Sequence, residues 1–382
     1  MSPEITRRRM LRASFLVGAA AAGCGRSQVR AASSFKVREI KVISHQPNLY
    51  NGWSTLARRR NGELLLAVSG GREAHVCPFG RVELMRSPDG GKTWAWPQVL
   101  IDGPTDDRDA GVLETSGGAL LVTTFTSVAW EERVNPDGDW PEERVKRWQA
   151  VGLRCSKEER AGLLKQAMIR STDGGLTWTT PYDSNVNSPH GPFQLSDGRV
   201  LYAGVTMSDT PHRVGVCESK NDGESWTWLA DIPTRPGDQA EHYHELHGVE
   251  VSPGRIVVQI RNHNKANERE TLQTESTDGG KTWSMPHSIG VWGLPSHLVR
   301  LRNGRLVMSY GHRRPPYGNQ VRISDDGGRT WSESLILSGD GLGGDLGYPS
   351  TVELDDGTLV TVWYEKIAGS PYAVLRQATW TV

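Results

Sequence analysis

One eight-residue loop recurs five times along this chain of 382 residues, and the repetition limits the fold more than any other feature. It reads SPDGGKTW at 87–94, STDGGLTW at 171–178, STDGGKTW at 276–283 and SDDGGRTW at 324–331, with an eroded copy, SKNDGESW, at 219–226. Asp-Gly-Gly is turn chemistry: the aspartate accepts hydrogen bonds from nearby backbone amides, and glycine tolerates positive φ. The tryptophan adds an apolar plate that can pack beneath the turn. A strand-like run such as VELMRS or QVRIS precedes each copy. Upstream lies a second unit of short run, polar turn and apolar run. That unit occurs six times, from TLARRRNGELLLAV to TVELDDGTLVTVW. Several short strands per repeat, with a period of about 40–50 residues, predict an all-β chain folded as a six-bladed β-propeller. Five copies cannot be five active sites, so the loop is read as a staple of the fold. FKVREIKVIS, at 35–44, is expected to pair with the last unit, which has no such loop, and so to close the ring without an open edge.

Charge and hydropathy narrow the function classes. The 44 basic and 44 acidic residues cancel, which argues against non-specific nucleic-acid binding. No stretch after residue 30 is long and apolar enough to span a membrane. Residues 1–31 stand apart from the fold, assigned to 35–382. Thr6, Arg7 and Arg8, ahead of a short apolar stretch, resemble a twin-arginine export signal. AAGC, ending at Cys24, resembles a lipoprotein box, and cleavage after Ala31 is the competing reading. The expected address is therefore periplasmic, membrane-anchored through Cys24, or secreted. Cys77, Cys155 and Cys217 remain, which allows at most one disulfide. No metal-type spacing occurs, and neither metal nor cofactor is expected. The chain is expected to act as a monomer.

Strand order identifies the face where chemistry should sit. With strands A to D antiparallel in each blade, the polar turn (A to B) and the repeated loop (C to D) share one end of the ring. The opposite end, the mouth, collects the segments before A and after B. Nine of the 11 histidines fall in those segments: His75, His190, His212, His242, His244, His247, His263, His297 and His312. Histidine concentrated there suits ligand hydrogen bonding, proton transfer or metal binding, although no reading of the chain requires an ion. A charged insertion at about 127–165 interrupts the second unit and is expected to lie over the mouth, as a lid or binding loop.

The repeated loop resembles the Asp-box, or BNR repeat, of sialidases, and the resemblance covers nearly the whole chain after residue 35. It implies an exported retaining glycoside hydrolase of the exo-α-sialidase type, with a carbohydrate as partner. In that family a tyrosine activated by a glutamate attacks the anomeric carbon. Three arginines hold the substrate carboxylate, and an acid protonates the leaving group. HELHGVEVSPGRIVVQIRNH resembles the segment carrying the glutamate and one arginine, here Glu245 and Arg261. GYPSTVELDDGTLVTVWYE resembles the nucleophile segment, here Tyr348, with Glu365 matching the acid that steadies an arginine. GHRRPPYGNQVRISDDGG offers Arg314, in preference to Arg313, as a further arginine. The first unit departs from the pattern: NGWSTL places Gly52 where the family has an arginine, and Arg72 or Arg108 would have to reach the same space. The acid/base candidates are Glu73, His75 and Asp109. Substrate contacts are further expected from His75, His190, His244, His247 and His297. A lyase acting on uronic-acid glycans through mouth histidine, tyrosine and arginine, and a non-catalytic carbohydrate-binding propeller, are the alternatives.

Overall fold

The computed structural model describes residues 35–134, 140–163, 165–207 and 212–382. The export signal and the Cys24 box expected from the sequence lie outside them. The described chain forms six antiparallel sheets arranged as the blades of a propeller. It opens with β1 (Lys36–Val42), then lays down blade 1 as β2 (Tyr50–Arg58), β3 (Leu64–Arg72), β4 (Arg81–Ser87) and β5 (Gln98–Ile101). Blade 2 is β6 (Asp106–Glu114), β7 (Leu120–Ser127) and β8 (Gln166–Ser171), its fourth position reduced to a bridge between Met168 and Tyr182. Blade 3 is β9 (Phe193–Gln194), β10 (Val200–Val205), β11 (Val214–Ser219) and β12 (Thr227–Asp231). Blade 4 is β13 (Tyr243–Ser252), β14 (Arg255–Asn262), β15 (Glu270–Ser276) and β16 (His287–Trp292). Blade 5 is β17 (Ser296–Arg300), β18 (Leu306–His312), β19 (Gly318–Ser324) and β20 (Leu335–Ser338). Blade 6 is β21 (Leu346–Glu353), β22 (Leu359–Glu365) and β23 (Val374–Thr381), and β1 completes it by pairing antiparallel with β23, Lys36 opposite Thr381.

The run LLLAV in β3 explains how blades adhere. Alternate side chains of a strand point to opposite faces of its sheet. Leu64, Leu66 and Val68 therefore pack against Val360 and Val362 of β22, while Leu65 and Ala67 pack against Leu120 and Val122 of β7. Each fully buried leucine contributes about 1.5–3 kcal/mol. A strand sandwiched between two neighbouring blades must be apolar on both faces, so it reads as a continuous run rather than an alternation.

The repeated loops are hydrogen-bonded turns. In the fourth-blade copy, Asp278 accepts from the amides of Lys281 and Thr282 at 3.0 Å each and from the Thr282 hydroxyl at 2.6 Å, while the Gly280 amide donates to Ser276 Oγ at 2.9 Å. Gly279 and Gly280 sit at φ of 75° and 90°, the left-handed region that a side chain disfavours.

The insertion between β7 and β8 carries two helices, α1 (Glu142–Val151) and α2 (Lys157–Ala161), the second opened by a capping box of Ser156 and Glu159. Trp130, Trp148 and Val151 pack with Cys77 into a small separate core that fixes the insertion to blade 1. Cys77, Cys155 and Cys217 are all buried and unpaired.

Candidate active site

Four inner strands break register at the mouth end. The irregularities fall between Gly52 and Thr55 in β2, Arg108 and Gly111 in β6, His244 and Leu246 in β13, and Gly347 and Ser350 in β21. Each contains one non-glycine residue at positive φ: Trp53 (53°), Asp109 (58°), Glu245 (32°) and Tyr348 (52°). Such a conformation costs about 1–3 kcal/mol per residue and persists only where its surroundings enforce it. A bulge re-aims the side chain it carries. Here the four bulges bring an aromatic plate, two carboxyls and a phenol together.

The Tyr348 hydroxyl donates to Glu245 Oε1. Arg261 bridges the pair, with Nη1 2.6 Å from Glu245 Oε2 and 3.1 Å from the phenol oxygen, and its Nε donates to His263 Nε2 at 2.8 Å. Burial alone would raise the Glu245 carboxyl, but the Arg261 charge and hydrogen bond outweigh it and hold the group at about 2. Burial, and then the Glu245 charge, push Tyr348 well above the ordinary phenol value. The resting pair is thus a protonated phenol against an ionised carboxylate that can take its proton. Arg313 lies with its guanidinium carbon 5.7 Å from the Tyr348 ring centre and donates through Nε to the Leu346 carbonyl at 2.9 Å.

Asp109 is fully buried, and burial raises its carboxyl to about 7, with Arg108 opposing and Glu245 adding to the rise. Its Oδ1 has no hydrogen-bond partner among the described residues. Trp53 stands where the sequence departed from the arginine pattern. The guanidinium carbons of Arg72 and Arg108 lie 4.8 and 4.2 Å from its ring centre, so both arginines do reach the space beside Gly52. Arg72 is committed: it is buried and bidentate to Asp106 at 2.5 and 3.0 Å, and donates to the His75 carbonyl at 2.8 Å. Arg108 lies 3.7 Å from both Asp106 and Asp109, with no partner for its Nε.

A cavity of about 440 Å³ opens beside this cluster, lined by Ala74, His75, Val76, Arg313, Gly344 and Asp345 of the ring and by Arg133 and Trp140 of the insertion. The insertion therefore does overhang the mouth.

The family model for the BNR repeat-like domain matches residues 155–361, more than half of the chain. This is a BNR-repeat propeller of the sialidase superfamily. Among curated relatives of this propeller, the sialidase of Bacteroides fragilis is 26% identical over 320 residues, covering 77% of this chain and 56% of its own length. That of Micromonospora viridifaciens is 24% identical over 279 residues, covering 71% and 34%. The chain thus spans about half or less of the length of these relatives. Among solved structures, a protein of unknown function from Dyadobacter fermentans superposes at a TM-score of 0.73 with 21% identity, over 92% of this chain and all of its own. The NanB sialidase of Streptococcus pneumoniae superposes at 0.63 with 14% identity, over 91% and 71%. At such identities the superpositions establish the propeller itself.

Several expected site residues sit elsewhere in this BNR propeller. Arg314 is turned outward, 4.3 Å from the Trp292 ring centre, and Arg313 takes the place at the cavity. Glu365 binds Arg376 at 2.6 Å and the Trp363 indole at 2.7 Å, so the arginine it steadies belongs to β23 and not to the mouth. Glu73 is held by Arg147 at 2.8 Å and the Trp148 indole at 3.1 Å, which makes it an anchor for α1. His190, His247 and His297 lie on the axis beneath Tyr348, with His247 and His297 stacked at 4.3 Å and His190 6.1 Å from the tyrosine ring. They line a second cavity, of about 500 Å³, whose other walls include Arg58, Glu250 and Arg300 at the polar-turn end of the ring. Two residues further along an inner strand is a step of about 6.6 Å away from the mouth, and that step carries His247 past Glu245. His244 stays at the mouth, edge-on to His263 at 5.0 Å. Sequence reasoning missed Trp53 and Asp345. The only signal for Trp53 was the departure from the family pattern itself.

Proposed function

We propose that this protein is a retaining glycoside hydrolase of the sialidase type, acting on a sugar that carries a carboxylate next to the scissile bond. The observation that supports it is the Tyr348–Glu245–Arg261 cluster, an ionised carboxylate gripping the proton of a buried phenol. In this reading Glu245 takes that proton as the phenol oxygen attacks the anomeric carbon, because a neutral phenol is a poor nucleophile. Arg261 and Arg313 face the substrate carboxylate, with Arg108 in reach of the third position, and a planar guanidinium suits a planar anion. The sialidases among the relatives agree with the reaction class.

A carboxylate bound by Arg313 rather than Arg314 lies over the Tyr348 ring, nearer the cavity under Trp140. We also propose export, on the twin-arginine pattern at Arg7 and Arg8. Aryl glycosides of sialic acid, Kdo and uronic acids, offered to the purified protein, test the activity. Release of the phenol with a free reducing sugar is expected for one of them. An unsaturated uronate product, or binding without turnover across the panel, overturns the hydrolase reading.

A further inference from the structure

Hydrolysis requires a proton at the leaving-group oxygen, and the Tyr348–Glu245–Arg261 group does not supply it. Of the three acid/base candidates in the sequence, Glu73 is engaged by the insertion, and Asp109 is the more deeply buried, its side chain 8% exposed against 47% for His75. His75 also lines the cavity at the mouth.

Its environment selects one tautomer. Nδ1 lies 2.9 Å from Asp345 Oδ1, an oxygen that also accepts from the Tyr50 hydroxyl at 2.9 Å and the Tyr364 hydroxyl at 3.2 Å. An acceptor with those neighbours makes Nδ1 the protonated nitrogen, and leaves Nε2 without a protein partner among the described residues. The ring is fixed edge-on to Trp53 at 4.8 Å, and the His75 carbonyl is held by buried Arg72 at 2.8 Å. Trp53 also meets Tyr348 edge-on at 6.4 Å, so one indole separates the imidazole from the phenol. Arg313 lines the cavity and lies 5.7 Å from the Tyr348 ring, so a sugar reaching from the cavity to that ring would have the imidazole on one side and the phenol on the other.

We propose that His75, oriented by Asp345, is the general acid and base of the reaction; this rests on the hydrolase reading above. In the first step the Tyr348 oxygen bonds to the anomeric carbon and its proton passes to Glu245. The bond from that carbon to the leaving oxygen breaks, and Nε2–H of the imidazolium protonates the departing oxygen. In the second step Nε2 takes a proton from water, whose oxygen bonds to the anomeric carbon. The tyrosyl bond breaks and Glu245 returns the proton to Tyr348. His75 ends protonated, as it began.

The groups facing His75 divide. Burial, joined by the Arg108 and Arg72 charges, lowers the imidazole below its ordinary value, and the hydrogen bond and charge of Asp345 oppose that fall. Arg313 and Arg133 share the cavity, Tyr50 touches Nδ1, and Lys366 lies 3.8 Å from Asp345. A bound substrate carboxylate would favour the charged ring.

The test compares two substrates of the sugar that the panel identifies: its nitrophenyl glycoside, whose leaving group needs no proton, and the same sugar on lactose, whose leaving group does. His75→Gln should lose about 100- to 10,000-fold in kcat/KM on the lactoside and about tenfold or less on the aryl glycoside. Azide, a nucleophile that needs no base, should speed turnover of the aryl glycoside by the variant and yield the glycosyl azide. Asp345→Asn should move the alkaline limb of the kcat/KM profile down by about one pH unit, which a merely structural role would not do. Melting temperatures of both variants exclude misfolding. Equal losses of His75→Gln on both substrates, or a leaving-group-dependent loss in Asp109→Asn instead, would overturn the proposal. Tyr348→Phe, run in parallel, separates the two claims: if it stays active on both substrates, or no panel sugar is turned over, the hydrolase reading fails and this one with it.

Discussion

At the Asp-box end of the ring, four loops repeat the same contacts within a tenth of an ångström. The amides of Thr93, Thr177, Thr282 and Thr330 meet their aspartates at 2.9–3.0 Å, and the second glycine of each box meets its serine at 2.8–2.9 Å. At the mouth, one backbone device, the bulge at positive φ, presents four different side chains: Trp53, Asp109, Glu245 and Tyr348. The Asp-boxes satisfy every aspartate locally, whereas Asp109 Oδ1 and Arg108 Nε at the mouth, 3.7 Å apart, have no hydrogen-bond partner among the described residues. Unmet hydrogen-bonding groups held in strained backbone are what a ligand-ready site looks like. The ring thus keeps stability and chemistry at opposite ends, and substitutions should separate accordingly.

The strongest test of that separation is Tyr348→Phe, which removes one oxygen from the mouth. Turnover should fall by about a thousandfold or more while the melting temperature holds within about 2 °C, read by steady-state kinetics and calorimetry. Arg261→Lys keeps the charge but not the planar fork. Its loss, about 10- to 100-fold in kcat/KM, should appear with carboxylate substrates and shrink with their amides. Next comes a pair of neighbours: Arg313→Ala should raise KM for the acidic sugar about tenfold, whereas Arg314→Ala should leave it unchanged. A reversed result would return Arg314 to the site.

Acid should distinguish the axis from the boxes. Burial holds His190 down to about 4, and holds His247 and His297 well below their ordinary value. An unfolded histidine titrates near 6.5, so the stability that these neutral rings allow is complete above about pH 6.5 and is lost as the pH falls toward the folded values. Asp278 is held at about 2 by the Thr282 hydroxyl and amide, so its contribution is present above about pH 3.9 and is lost only below it. A melting temperature that declines between pH 6.5 and 4, before any box aspartate titrates, is expected by scanning calorimetry. Asp109, raised to about 7, gains stability as it protonates over the same window, so the axial share is read as the part of the decline that His297→Gln removes. The smallest effect belongs to the staple: Asp278→Ala should lower stability by about 1–2 kcal/mol and leave kcat untouched.

What the sequence revealed follows the same division. The six units, the staple loops and the pairing of β1 with β23 were legible because they repeat, or because a blade lacking its fourth strand needs one. Glu245, Arg261 and Tyr348 were legible as motif positions. The choice between Arg313 and Arg314 was not, since adjacent residues in a loop carry no periodicity to say which turns inward. Glu73 was read as a free carboxylate because its partner Arg147 stands 74 residues away in an insertion with no repeat to align it. The depth of the three axial histidines is not legible either, since a segment boundary does not mark a face and each further pair of residues on an inner strand moves deeper into the ring.

Blade 6 couples the start of the described chain to its finish, since β1 and β23 are paired across more than 300 residues. The same blade holds Tyr348, and its hydrogen-bond partner Glu245 lies two blades back. A polypeptide emerging from the ribosome would therefore complete blades 1 to 5 while β1 still waited for β21 to β23, and the joining of such distant segments is a slow class of event. Catalytic competence should then appear all at once, on the timescale of circle completion rather than of sheet formation. On the hydrolase reading, the Tyr348 phenol stays out of service until the last seam is sewn.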